Sequence, residues 1–119
     1  AEQGTNYDAA SVQSAAETLA RAGLPPRMIV DCSHGNSGKD YRKQPEVAAC
    51  LAGQIAGGSR AICGVMLESH LLEGKQTIAN DGKQLRYGQS VTDGCIGWEE
   101  TMTVLESLAA AVRLRRKHA

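Results

Sequence analysis

The sequence contains no phenylalanine, one tryptophan and three tyrosines, which excludes a core built around aromatic rings. Any interior must be assembled from Ala, Val, Ile, Leu and Met. A dominant sign of charge is also lacking, since thirteen basic residues balance thirteen acidic ones. Such a chain gives no electrostatic case for nucleic acid or an anionic membrane as partner. No apolar run reaches the roughly 18 residues of a membrane span, and nothing at the start reads as a signal peptide. The four cysteines, Cys32, Cys50, Cys63 and Cys95, form no CxxC pair. An even count alone does not establish disulfides, and two of the four lie within apolar runs, as buried free thiols do. A cytoplasmic location is the expectation.

What is present suits one ordered unit. The chain has 119 residues, 42% of them apolar, enough for a core and too few for two ordinary domains. After a polar segment at residues 1–7, Asp8 is placed to cap a helix. Val12, Ala15, Ala16 and Leu19 share one face of it. Gly23 supplies the stop and Pro25-Pro26 prevents continuation. Met28-Ile29-Val30 then reads as a strand buried on both faces. A second helix is expected from about Pro45 to Ile55, with Gly57-Gly58 behind it. Ala61 to Leu67 forms a second strand, ending at Glu68. The two strands and their helix make a βαβ unit, which should be parallel with a right-handed crossover.

Residues 69–92 are polar, and Asn80-Asp81-Gly82 is a hairpin-turn signal. The last helix should start near Trp98 and bury a stripe of Trp98, Met102, Leu105, Ala109 and Val112. Glu99 and Glu100 in its first turn, and Arg113, Arg115, Arg116 and Lys117 near its end, suit the helix dipole. Two parallel strands cannot cover their own edges. The order helix, strand, helix, strand, helix therefore reads as the closing part of a (β/α)8 TIM barrel, whose usual size is about 250 residues. Residues 1–119 would be a C-terminal fragment of one catalytic barrel domain, holding about the last two and a half βα units.

In α/β barrels the chemistry gathers where parallel strands end. The first strand runs into Asp31-Cys32-Ser33-His34 and the second into Glu68-Ser69-His70, on one rim. Asp93 precedes the last helix. An imidazole with two carboxylates is a plausible set for a divalent first-row metal. Each member also has a plainer reading. His34 could hydrogen-bond within its own tight loop, and Asp93 could be a helix cap. Glu68, a carboxylate ending a buried strand, must meet a cation or a metal. His70 reads as a surface residue and His118 as solvated. Lys39 sits in a Gly/Ser loop that lacks the GxxxxGK[ST] pattern, so it reads as an ordinary loop lysine.

Three stretches go further. Asp31-Cys32-Ser33-His34-Gly35-Asn36-Ser37, Gly64-Val65-Met66-Leu67-Glu68-Ser69-His70-Leu71 and Ser90-Val91-Thr92-Asp93-Gly94-Cys95-Ile96-Gly97-Trp98 together resemble class I 3-deoxy-D-arabino-heptulosonate 7-phosphate (DAHP) synthase. They occur in the family's order, and the resemblance runs from near Asn6 to the final helix. It implies a transferase of the shikimate pathway for aromatic amino acids, condensing phosphoenolpyruvate with erythrose 4-phosphate to give DAHP and phosphate. It also implies a divalent metal, Mn, Fe, Co or Zn, with His34, Glu68 and Asp93 as three of four ligands. The family's fourth ligand is a cysteine from an earlier segment, and Cys95 is not its replacement. The basic segments that clamp both substrate phosphates lie upstream in the family and have no match here.

The expectation is a chain of barrel units six to eight that is inactive alone. Its partners would be the missing N-terminal part of the barrel and further copies in a homo-oligomer. No catalytic residue is assigned. Another metal-dependent aldolase acting on a phosphosugar is disfavoured by the three motifs. A self-standing, non-catalytic metal-binding or interaction module would show cooperative unfolding as a monomer.

Overall fold

The computed structural model describes residues 4–79, 82 and 84–118. Helix α1 spans Ala9–Arg21, strand β1 Met28–Asp31, helix α2 Gln44–Ala56, strand β2 Ile62–Met66 and helix α3 Trp98–Lys117. Two short 3-10 turns, His34–Ser37 and Tyr41–Lys43, lie between β1 and α2. The expected order of elements is thus observed. Asn80 and Asp81 of the expected hairpin turn lie outside the described residues. No helix among the described residues is long and apolar enough to cross a membrane.

The helix ends follow from local chemistry. Asp8 accepts from the Ser11 N–H at 3.1 Å and fixes the start of α1. At its far end Leu24 N–H bonds to Leu19 C=O and Gly23 N–H to Ala20 C=O, with Gly23 at φ +77°. The end of α2 repeats this Schellman geometry, with Gly58 at φ +110°. Only glycine takes these conformations without strain.

β1 and β2 pair in parallel, Ile29 against Gly64, Val30 against Val65 and Asp31 against Met66. A register shift after Met28 leaves Cys63 as the extra residue of a bulge. Alternation sends Val30, Cys32 and Ile62 into a core shared with Val47, Leu51 and Ile55 of α2. The other face corrects the expectation of a strand buried on both sides. Ile29 is 68% exposed, and Cys63 and Met66 are exposed beside it. Helices cover one face of the sheet, and nothing in the described chain covers the second.

α3 packs on α2 with a stripe that keeps only Val112 of the one expected. Thr101, Val104 and Ala111 are buried and Leu108 packs against the core. Trp98, Met102 and Leu105 stay about half exposed. At about 100° per residue the two stripes lie roughly 90° apart on the helix. Arg115 then donates to the Ser59 and Ile62 carbonyls, both at 3.0 Å, tying the end of α3 to the start of β2. In α1, Val12 and Ala16 are buried and Leu19 is half-buried, whereas Ala15 faces solvent.

Candidate metal centre

The chain leaves β1 at Asp31 and turns at once. The Asp31 carboxylate accepts from the Ser33 N–H at 2.7 Å, closing an Asx turn. Its other oxygen lies 2.9 Å from His34 Nδ1. The Asp31 carbonyl in turn accepts from the Asn36 side-chain amide at 2.8 Å. His34 sits at φ +49°, a left-handed conformation that is uncommon outside glycine. The turn costs backbone strain and aims the ring. With Nδ1 donating to Asp31, Nε2 is left as the free acceptor.

Nε2 faces two carboxylates from other parts of the chain. Glu68 Oε1 is 3.8 Å away and Asp93 Oδ2 is 3.7 Å away. One donor atom from each of His34, Glu68 and Asp93 lies within 4.8 Å of the others, the one such grouping among the described residues. Glu68 is held from several sides. Its N–H donates to Gln44 Oε1 at 2.7 Å, and its carbonyl accepts from Gln44 Nε2 at 3.0 Å. Ile96 N–H also donates to that carbonyl at 3.0 Å. Gln44 is fully buried, so its amide acts as one link of a strand neighbour for the end of β2. Ser33 Oγ donates to the Glu68 carboxylate.

Asp93 lies on a loop braced by paired N–H to carbonyl bonds between Gly74 and Cys95, at 2.8 and 3.1 Å. Beside it a Cβ on Gly94 would stand 2.6 Å from the Tyr41 ring, so the close approach requires glycine. Asp93 does not cap α3: Gly97 holds that position without a side-chain bond. His70 is exposed and its Nδ1 accepts the Leu71 N–H at 2.8 Å. His118 is exposed at the end of α3.

The electrostatics follow from these contacts. The hydrogen bond to Asp31 raises the His34 pKa, helped by the charges of Asp31, Glu68 and Asp93 against a small opposing effect of burial. Burial pushes the Cys32 thiol up to about 12, with Asp31 adding to the shift. Burial raises Cys95 as well, and its Sγ points back to the Asp93 carbonyl at 3.5 Å. Neither thiol is a ready thiolate.

The sequence named the three converging donors. It missed Asp31 as the group that orients His34, and Gln44 as the group that fixes Glu68. The signal for Asp31 was its place three residues before a histidine at a strand end. No comparable signal marked Gln44, whose role depends on α2 docking.

A protein-family model described as the DAHP synthetase I family matches residues 1–106. The phenylalanine-inhibited phospho-2-dehydro-3-deoxyheptonate aldolase of Saccharomyces cerevisiae is 52% identical over 120 residues, covering 96% of this chain and 32% of that protein. The Phe-sensitive enzyme of Escherichia coli is 51% identical over 111 residues, covering 93% of this chain and 31% of the relative. A solved structure of the aldolase from Francisella tularensis superposes with a TM-score of 0.89 at 45% identity, over 95% of this chain and 32% of that one. The chain thus spans about a third of the length of these relatives. It belongs to the DAHP synthetase I family.

Proposed function

We propose that this chain is the C-terminal third of a DAHP synthase barrel and supplies three ligands, His34, Glu68 and Asp93, to that enzyme's divalent metal. The observation that carries the reading is the convergence of one donor from each of three separate segments on the free side of a single imidazole. The donors fit such an ion. A neutral Nε2 with two carboxylates suits Mn, Fe, Co or Zn, and Asp31 behind the ring is the usual outer partner of a metal-bound histidine. The reaction is the condensation of phosphoenolpyruvate, erythrose 4-phosphate and water to DAHP and phosphate. When bound, the ion would supply Lewis acidity for an aldehyde oxygen.

The chain's own residues orient and hold. Asp31 keeps the proton on His34 Nδ1, and Ser33 and Gln44 fix the Glu68 side chain and backbone. None of them forms a complete site for two phosphorylated substrates, so the chain is inert without the remainder of the enzyme. The bare face of the sheet, with Ile29, Cys63 and Met66, is the face such a barrel would enclose. A cytoplasmic, homo-oligomeric parent enzyme completes the reading. A free-standing module would instead need that face covered.

The test is Mn(II) affinity of the 119-residue chain before and after His34→Ala. Loss of an inner ligand should weaken binding by roughly tenfold or more, since even outer partners are worth 10–100-fold. Equal affinity would remove His34 from the ligand set.

A further inference from the structure

The stripe of α3 that sequence spacing favours is left uncovered in the folded chain. Trp98, Met102, Leu105 and Ala109 are exposed, and Val112 is half-buried where the stripe meets the core. Their spacing alternates between four and three residues, the a/d pattern of a helix that pairs with another helix. At about 100° per residue all five fall within about 40° of one line down α3. That line lies to the side of the residues docked on the core, so a second helix can seat there without displacing α2.

Charge indicates which helix. The first half of α3 carries Glu99, Glu100 and Glu106, and the second half carries Arg113, Arg115, Arg116 and Lys117. Arg115 is committed to the Ser59 and Ile62 carbonyls. Among the described residues none of the other six forms an ion pair. A helix that is acidic at one end and basic at the other is complementary to itself reversed. We propose that α3 pairs antiparallel with α3 of a second copy of this chain, through the exposed stripe, in a two-fold dimer. Parallel pairing would set acid on acid and base on base, at a cost.

The spacing also sets the register. With the two-fold axis beside Ser107, Leu105 meets the partner's Ala109, large on small, and Met102 meets the partner's Val112. Trp98 comes under the partner's Arg116, whose guanidinium is attracted to the ring face. On the flank Glu99 faces the partner's Arg113, a contact that symmetry makes twice. Glu106 is the misfit, since it faces its own copy across the axis as a like-charge pair. None of these residues belongs to the metal centre, so the dimer stands or falls apart from the metal reading.

The experiment is sedimentation velocity of the full chain at roughly 0.1 mM, a concentration that populates contacts of micromolar Kd. Fluorescence is read in parallel, because Trp98 is the sole tryptophan and sits in the contact. Ile29→Lys serves as the background, since it charges the bare sheet face and leaves α3 untouched. In that background a dimer is expected, with Trp98 emission moving to the blue as protein concentration rises. Leu105→Glu should raise the dimer Kd roughly a hundredfold, because two-fold symmetry counts the lost burial twice. Glu106→Gln should instead tighten the dimer by about threefold, by removing the like-charge pair.

Mixing gives the sharpest reading. Glu99→Arg and Arg113→Glu each set like charges opposite one another twice, and each alone should weaken the dimer by about tenfold. Combined one to one, the two variants should recover parent affinity, because each then meets its opposite. A misfolded variant cannot be rescued in this way. A monomer in the Ile29→Lys background overturns the proposal, and is the result expected if only the remainder of a larger barrel covers this stripe. A dimer indifferent to Leu105→Glu overturns it as well, by placing the contact elsewhere. So does a mixture that associates no better than either charge variant alone, which would rule out the antiparallel register.

Discussion

A side chain's depth and its nearest charge set its chemistry here more than its type does. The four cysteines show this, since Cys32 and Cys95 are buried while Cys50 and Cys63 are exposed. Burial and Asp31 push Cys32 up to about 12, and burial raises Cys95, so neither offers thiolate near neutrality. A thiol reagent at pH 8 should titrate two cysteines rapidly and the other two only on unfolding. Four fast thiols would show that the core opens readily. His34 is raised too, but there the neighbouring charge favours the charged form instead of burial favouring the neutral one. Its folded pKa is raised by Asp31, so the pair contributes stability below the ordinary imidazole value of about 6.5 and loses it as pH rises through the raised value. Proton NMR of His34 in the metal-free chain should show a midpoint above that value, falling in Asp31→Asn. An unchanged midpoint in the variant would remove Asp31 as its cause. His34 and Glu68 were legible in the sequence because strand ends can be read from apolar runs, whereas Asp93 was legible from its place before the last helix and from the family resemblance. Asp31's role was not, because it depends on the left-handed turn at His34, and histidine does not announce such a turn.

Elements whose ends are set by their own residues were the most legible. The stops at Gly23 and Gly58 are local hydrogen-bonding decisions, and both fell where the glycines lie. Faces chosen by a partner were read less well. α3 carries two candidate stripes, and the choice between them is made by the core it docks on, which buries Val104 and Ala111, while Thr101 bonds to Ser69. Gln44 belongs to the same class, as a polar residue in the first turn of a helix that looks like surface until α2 docks. Its fully buried amide makes two bonds to the Glu68 backbone. Gln44→Ala should therefore destabilise the chain by about 2–4 kcal/mol, the cost of leaving buried backbone groups poorly paired. Urea denaturation reads this directly. A loss below about 0.5 kcal/mol, the range of ordinary surface substitutions, would mean that water replaces the amide at no cost and that Ile96 and Ser33 suffice to hold Glu68.

At the scale of the whole molecule the dimensions argue as the residues do. The radius of gyration is 16.5 Å, whereas a compact domain of this length would have about 13.5 Å. The excess reflects an open layer, with Ile29 and Met66 on the bare sheet face and Trp98, Met102 and Leu105 exposed on α3. The relatives it matches are about three times as long as this chain. The α/β class with its parallel strand pair was legible from the order of elements, but the exposed face was not, because an apolar strand looks the same whether or not its cover is present. Ile29, at 68% exposure, distinguishes the two situations. In the isolated chain Ile29→Lys should change stability by no more than about 0.5 kcal/mol, as at any solvated position, and should reduce self-association in sedimentation experiments by placing charge on a sticky face. The same substitution inside a closed barrel would bury an unpaired ammonium and cost several kcal/mol. A large loss of stability in the isolated chain, with a concentration-dependent melting temperature, would therefore reveal that another copy already covers the sheet in solution.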